Sequence, residues 1–230
     1  MACSRLEALA GRIPQAAVIA DIGCDHGLLC DILLAARPQL KVIASDVSRP
    51  SLDKARRRLG SRYAPERFDV RLGDGLSVLS WGEADIAVIA GMGGHAIIRI
   101  LTQEPQARGM KGLMLSPHTN AEALRTFVRR GDYTAEKEWI LYERGRFYPL
   151  LFVRPGGRPE EPDPFWDWAG RPDDRTDPVV RRYFRDLREK TAAAYRGARG
   201  HDPVRAALLE ERLIRLKRES DGYERTAESN

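Results

Sequence analysis

Four short apolar runs that alternate with helical patterns, each run ending at a glycine or a carboxylate, constrain this chain more than any other feature. Such alternation implies a parallel sheet, because parallel strands can be joined only by long crossovers, usually helices. The first run, Val18-Ile-Ala-Asp21-Ile, enters the turn Gly23-Cys24-Asp25-His26-Gly27, and an apolar helix over 28–36 leaves it. A turn of this kind bares backbone N–H groups at the carboxyl end of the sheet, where α/β folds hold nucleotides. Its pattern is not the dinucleotide G-x-G-x-x-G. Asp21 and Asp25 repel a pyrophosphate and attract a cation, so the turn suits the sulfonium and α-amino group of S-adenosylmethionine better than NAD. For this turn alone, a tight strand-to-helix connection without a ligand is the ordinary alternative.

The later strand ends repeat the theme. A second run over 41–46 ends in Asp46, with Val47 beside it, about twenty residues past the glycine turn, where a carboxylate accepts ribose hydroxyls. A third run ends in Gly73-Asp74-Gly75, a side chain and backbone N–H for an adenine edge. The fourth, over 84–90, is apolar enough to be buried on both faces and passes from Ala90 into Gly91-Met92-Gly93-Gly94. Gly93 and Gly94 clear space for a flat substrate. Each end has an ordinary reading as a cap or tight turn, but coincidence at four successive ends is far less common.

Beyond these strands, a fifth run over 112–116 leads through Pro117-His118-Thr119-Asn120 to a helix over 121–130. Strands over 136–142 and 146–153 are separated by only three residues, which makes a hairpin and gives the sheet an antiparallel end. That architecture, a Rossmann-like sheet closed by an antiparallel hairpin, is the methyltransferase arrangement and not that of a dehydrogenase. The expected organisation is a catalytic domain over 1–154, a Pro/Gly/Trp-rich linker over 155–173, and a C-terminal helical hairpin over 174–230. The hairpin faces predicted from periodicity are Val180, Tyr183, Phe184, Leu187, Thr191 and Ala194 on one helix, and Val204, Leu208, Leu209, Leu213 and Leu216 on the other.

Charge is placed unevenly. The chain carries a formal net charge of +5, and the segment 174–219, with thirteen Lys and Arg against eight Asp and Glu, holds all of it. Basic helices beside a nucleotide-type site point to an anionic polymer as substrate, with Arg181, Arg182, Arg185 and Arg188 as the phosphate candidates. A solvated helix face is the competing reading. The three cysteines, Cys3, Cys24 and Cys30, form no C-x-x-C pair, so no metal is expected, and no apolar run reaches the length of a membrane span. The expectation is a cytoplasmic protein, a monomer or weak dimer, with no membrane partner.

Arg5-Leu-Glu-Ala-Leu-Ala-Gly-Arg-Ile-Pro14, Ala20-Asp-Ile-Gly-Cys-Asp-His26, Gly73-Asp-Gly75 and Ile89-Ala-Gly-Met-Gly-Gly94 together resemble the bacterial tRNA (adenine(22)-N1)-methyltransferases. The resemblance covers the chain to about Val153, and the helical hairpin matches the small C-terminal domain of that family. It implies S-adenosylmethionine, tRNA, and methylation of adenine N1. Two departures stand out: Ser116-Pro117-His118 replaces the usual Gln-Pro-Asn turn, and Asp46 replaces a frequent glutamate. Within that chemistry Asp25 stabilises positive charge developing on the base, His26 contacts the cofactor's amino acid end or the base, with a histidine packed at a helix start as the competing reading, and Met92 forms an apolar wall. The cofactor set is then Asp21, Gly23, Asp25, His26, Asp46, Val47, Asp74, Gly75, Ala90, Gly91 and Met92, and the base lies by Gly93, Gly94, Pro117 and His118. Gly91-Met92-Gly93-Gly94 is not the Asn/Asp-Pro-Pro-aromatic turn of amino-group methylation. A methyltransferase for another substrate, or a non-catalytic binding module, remains the alternative.

Overall fold

The apolar runs form one seven-stranded sheet in the computed structural model, which describes residues 4–227. The elements are α1 (Arg5–Ala10), β1 (Val18–Ile22), α2 (Leu28–Ala36), β2 (Lys41–Asp46), α3 (Arg49–Gly60), β3 (Phe68–Leu72), β4 (Ile86–Ala90), α4 (Gly94–Gln103), β5 (Gly112–Ser116), α5 (Ala121–Arg129), β6 (Tyr133–Glu143) and β7 (Arg146–Pro155). Strand order is β3-β2-β1-β4-β5-β7-β6. The first five strands are parallel, and β7 runs antiparallel to both β5 and β6. Strand order reverses between β1 and β4, so the crevice at their carboxyl ends is the topological switch point. The glycine turns after Ile22 and after Ala90 both open onto it.

Alternate residues of each central strand feed two cores. On one face Ile19, Val42, Ala44, Ile86 and Val88 pack with Leu9 of α1, Leu29 and Leu33 of α2, and Leu52 and Leu59 of α3. On the other, Ala20, Ile22, Ile43, Ala87 and Ile89 pack with Ile97 and Ile100 of α4 and Leu124 and Val128 of α5. Full burial of each valine, leucine or isoleucine among them contributes about 1.5–3 kcal/mol, which explains why these strands read as continuous apolar runs. Capping is local and legible. Ser4 and Glu7 form a reciprocal capping box on α1, and Ser48 with Pro50 starts α3.

The hairpin between β6 and β7 turns on Arg144 and Gly145, both at positive φ, as a two-residue hairpin turn demands. β6 starts three residues earlier than its alternation suggests, because a bulge between Ala135 and Lys137 shifts the register and hides the continuation. The buried pair Arg125–Glu138, at 2.7 Å, ties α5 to β6.

The chain divides after Pro162. The expected linker over 155–173 is corrected: β7 extends to Pro155, and Pro164–Ala169 forms a helix, α6, capped by Asp163 and belonging to the second unit. Its aromatic residues are the reason. Arg215 of α8 (Pro203–Ala227) lies 4.5 Å over Phe165 and pairs with Asp163 at 2.7 Å, and Arg212 lies 4.3 Å over Trp168. α7 (Pro178–Ala198) and α8 form the expected antiparallel hairpin, tied by Tyr195–Glu210, with Arg175, ahead of α7, paired to Glu219 of α8. Val180, Phe184 and Thr191 are buried as read, but Val204 is 82% exposed and Leu208 is also exposed. The seam of α8 runs through Leu209 and Leu216, seven residues apart, which turns Val204 and Leu208 away from it. Among the described residues no helix is long and apolar enough to cross a membrane.

Candidate functional site

The turn after β1 is fastened to β2. Gly23 and Cys24 both donate their N–H groups to the Ser45 carbonyl, at 2.8 and 2.9 Å. Asp46 completes the anchor: its Oδ2 accepts the Asp25 N–H at 3.0 Å and its Oδ1 accepts the Ser48 N–H at 2.8 Å. Gly23 and Gly27 adopt positive φ, and a Cβ at Gly23 would lie 2.5 Å from Met92 Cε, so the glycine admits the methionine side chain. Asp25 holds φ near +49°, a left-handed conformation that, after glycine, asparagine and aspartate adopt most readily. Its carboxylate is 69% exposed and accepts the Ser51 hydroxyl at 3.3 Å.

The two carboxylates of the turn differ. Asp21 faces the core beneath the turn and is only 4% exposed; burial pushes its carboxyl up to about 7, the Cys30 thiol donates to it at 3.4 Å, and the charge of Asp46 adds to the rise. Only Asp25 presents negative charge to solvent. Burial also pushes both thiols up, so Cys24 and Cys30 are neutral packing groups. Cys3 lies outside the described residues.

His26 is held between opposite charges. Its Nδ1 lies 3.1 Å from Asp25 Oδ1 without hydrogen-bond alignment, its Nε2 lies 3.4 Å from Lys54 Nζ, and its carbonyl accepts Arg58 Nε. Across the switch point, the turn after β4 is laced to the turn after β5. Gly91 donates to the Ser116 carbonyl, Gly94 to Thr119, and His118 to Met92, all main chain to main chain. Pro117 is buried in that turn and His118 is exposed; the expectation that Gly93 and Gly94 clear space for a flat substrate is corrected, because the room a side chain would take there is filled by Thr119 and Asn120, and these glycines serve the close approach of the two turns.

Asp74 is exposed and pairs with Arg99 of α4 at 3.3 Å; Gly75 beside it has positive φ. Two apolar side chains stand open at these strand ends, Val47 at 68% and Leu72 at 44%. Asp46 and Leu72 are lateral partners in the β2–β3 register, so a carboxylate, an apolar shelf and a second carboxylate succeed one another along the edge. This arrangement suits a ribose and a planar heterocycle. Leu72 and Ser51 carry no assignment from the sequence: Leu72 at a strand end was a legible signal, whereas Ser51 reaches the turn only because α3 packs under it; Lys54, which with Arg56, Arg57 and Arg58 forms a basic group that the sequence assigns to the surface, reaches His26 in the same way. In the second unit, Arg181, Arg182, Arg185 and Arg188 are all exposed on α7, and the first, third and fourth share a stripe at i, i+4 and i+7. Among the described residues no cluster of His, Cys, Asp or Glu is arranged to hold a metal ion.

A family profile described as a methyltransferase domain matches residues 2–151. The tRNA (adenine(22)-N(1))-methyltransferase of Bacillus subtilis is 35% identical over 155 residues, 67% of this chain and 65% of that protein. The chain therefore covers less than two thirds of the length of the curated relatives it matches, 61% for two tRNA methyltransferase candidates from Mycoplasma. Among solved structures, Streptococcus pneumoniae Sp1610, a candidate tRNA (m1A22) methyltransferase, superposes with TM-score 0.82 at 26% identity over 96% of this chain and 100% of that one. Its complex with S-adenosyl-L-methionine gives 0.78 at 26%, over 94% and 98%. The B. subtilis m1A22 tRNA methyltransferase gives 0.76 at 27%, over 96% and 99%. With a Rossmann-like sheet, a glycine turn at its switch point and a profile match over more than half its length, this chain belongs to the methyltransferase-domain family.

Proposed function

We propose that the chain transfers a methyl group from S-adenosylmethionine to N1 of an adenosine in tRNA, adenine 22 being the position shared by the sequence resemblance and the relatives' names. The observation that carries the reading is the glycine turn at the switch point, fastened by Asp46 and facing the Gly91-Met92-Gly93-Gly94 turn. When bound, the cofactor supplies an electrophilic methyl group. Asp46 keeps lone pairs for ribose hydroxyls beyond its two backbone donors, Val47 with Leu72 offers an apolar shelf for adenine beside Asp74 and Gly75, and the Asp25 carboxylate matches a cationic end. Asp21 acts from below the turn and His26 from its rim, with Ala90, Gly91 and Met92 closing the far wall.

Adenine N1 has an in-plane lone pair, so the chain's task is alignment more than proton removal. The base is received at the mouth between the two turns, with Pro117 and His118 at its border, while Gly93 and Gly94 let Thr119 and Asn120 close against the turn after β4. Asp25 favours the transition state by stabilising positive charge as it grows on the base. The exposed arginine stripe of α7 holds tRNA phosphates. The setting is the cytoplasm, where tRNA is, with the protein a monomer or weak dimer.

Incubation with labelled S-adenosylmethionine and unmodified tRNA, followed by nucleoside analysis, tests the whole reading: N1-methyladenosine is expected, and label in another nucleoside or in none would sink it. In the same assay Asp25→Asn should lower single-turnover rates by at least about tenfold, a larger factor than it weakens either ligand, since only interactions stronger in the transition state raise the rate. Reversing the charge of Arg181, Arg182, Arg185 and Arg188 should weaken tRNA binding and flatten its salt dependence, because fewer counterions are released, with cofactor affinity unchanged. A parent-like salt slope in that variant would return the stripe to a solvated face.

A further inference from the structure

The turn after β5 gathers side chains from three other elements. Arg5 of α1 places Nη1 3.4 Å from His118 Nε2 and its guanidinium carbon 4.7 Å from the centre of the Tyr148 ring of β7. The His118 and Tyr148 rings are tilted, 5.5 Å apart. Arg5 is itself held by Glu143 of β6, whose Oε1 accepts the Arg5 backbone N–H at 3.0 Å and whose Oε2 lies 4.0 Å from Arg5 Nε. His118 is also tied to the opposite turn: its N–H donates to the Met92 carbonyl at 2.8 Å, and a Cβ at Gly91 would lie 3.8 Å from His118 Cε1. The Cε1–Nε2 edge of the imidazole therefore borders the space left by Gly91.

A guanidinium only donates, so His118 Nε2 is the acceptor in the contact with Arg5 and the ring proton sits on Nδ1. Desolvation, then the positive charges of Arg5 and Arg146, hold the imidazole below the usual histidine range. The groups that face it are Arg5 from α1, Arg146 and Tyr148 from β7 and, through Arg5, Glu143 from β6. At neutral pH the ring is neutral, with one donor and a fixed tautomer.

Resting on the reading of this chain as an adenine-N1 methyltransferase, we propose that His118 orients the target base by donating its Nδ1–H to a purine ring nitrogen other than N1, and that Arg5 is the positioning residue that fixes its tautomer. A donor to N3 or N7 turns the base in its plane while N1 keeps the lone pair that attacks the methyl group. An imidazolium here would set an N–H against the N–H groups of Arg5 and place a cation beside a base that becomes cationic on methylation. The neutral ring avoids both.

His118→Ala should lower kcat/KM for tRNA about threefold to tenfold, the range of one neutral hydrogen bond, with S-adenosylmethionine affinity by calorimetry unchanged. His118→Asn, which keeps an amide N–H, should recover part of that loss. Arg5→Gln should lower kcat/KM for tRNA as well, and NMR titration of the full chain should show the His118 ring titrating at higher pH than in the parent. Parent-like kcat/KM for tRNA in His118→Ala overturns the proposal while leaving the methyltransferase reading intact, and an unmoved His118 titration in Arg5→Gln overturns the positioning role. A parent chain that yields no N1-methyladenosine strikes the reading beneath, and both fall together.

Discussion

Gly94→Ala should remove turnover and lower the melting temperature by about 4–12 °C, the largest stability loss expected of any single methyl group added near the site. A Cβ on Gly94 would lie 2.2 Å from the Asn120 carbonyl oxygen, 2.9 Å from its carbonyl carbon and 3.1 Å from the Thr119 oxygen. All three are backbone atoms, so no side chain can swing aside. The Gly94 N–H donates to Thr119 at 2.8 Å and Gly93 bridges to Thr119, and that joint links the turn after β4 to the turn after β5. Forcing it open by about an ångström costs about 2–3 kcal/mol as overpacking and widens the space where base and methyl group must align within a fraction of that distance. Gly197→Ala is the control. A Cβ there meets nothing within 4 Å inside a regular helix, so the melting point should hold or rise slightly. Thermal melts of both variants, with a turnover assay, decide the matter; a Gly94→Ala protein that melts and turns over like the parent would mean that the two turns are not rigidly joined.

Asp46→Ala should weaken S-adenosylmethionine binding on the order of a hundredfold. The carboxylate does two things at once in the proposed site. It accepts N–H groups from Asp25 and Ser48, which sets the shape of the glycine turn, and it offers its remaining lone pairs outward to ribose hydroxyls. Bonds to a charged acceptor contribute about 1.5–3 kcal/mol each, so losing two turn-shaping bonds or two ribose bonds amounts to about 3 kcal/mol or more. The backbone bonds from Gly23 and Cys24 to the Ser45 carbonyl survive, which should keep the variant folded. Asp46→Asn retains one acceptor oxygen and should fall between parent and alanine. Calorimetric titration of the three proteins tests the order, and equal affinities would detach Asp46 from the cofactor.

The sheet, its four strand ends at a glycine or carboxylate and the antiparallel hairpin were legible in the sequence, because strand periodicity, glycine and proline are local signals that survive without a partner. The glycine turn and Asp46 announced themselves for the same reason. Periodicity was less informative where packing breaks the rule: a bulge hid the start of β6, and Val204 and Leu208 kept an apolar stripe that the seam of α8 does not use. Tertiary structure alone decided which carboxylate of the turn is exposed, since Asp21 and Asp25 differ only in the direction their backbone gives them, one into the core and one into solvent. It alone brought Arg5 to His118, residues 113 positions apart in the chain. Such a meeting has no sequence signature, because strand order and helix docking fix it, and those depend on how the whole core closes. The chain's own residues determined what each element is; the packing of the elements determined which side chains can act together.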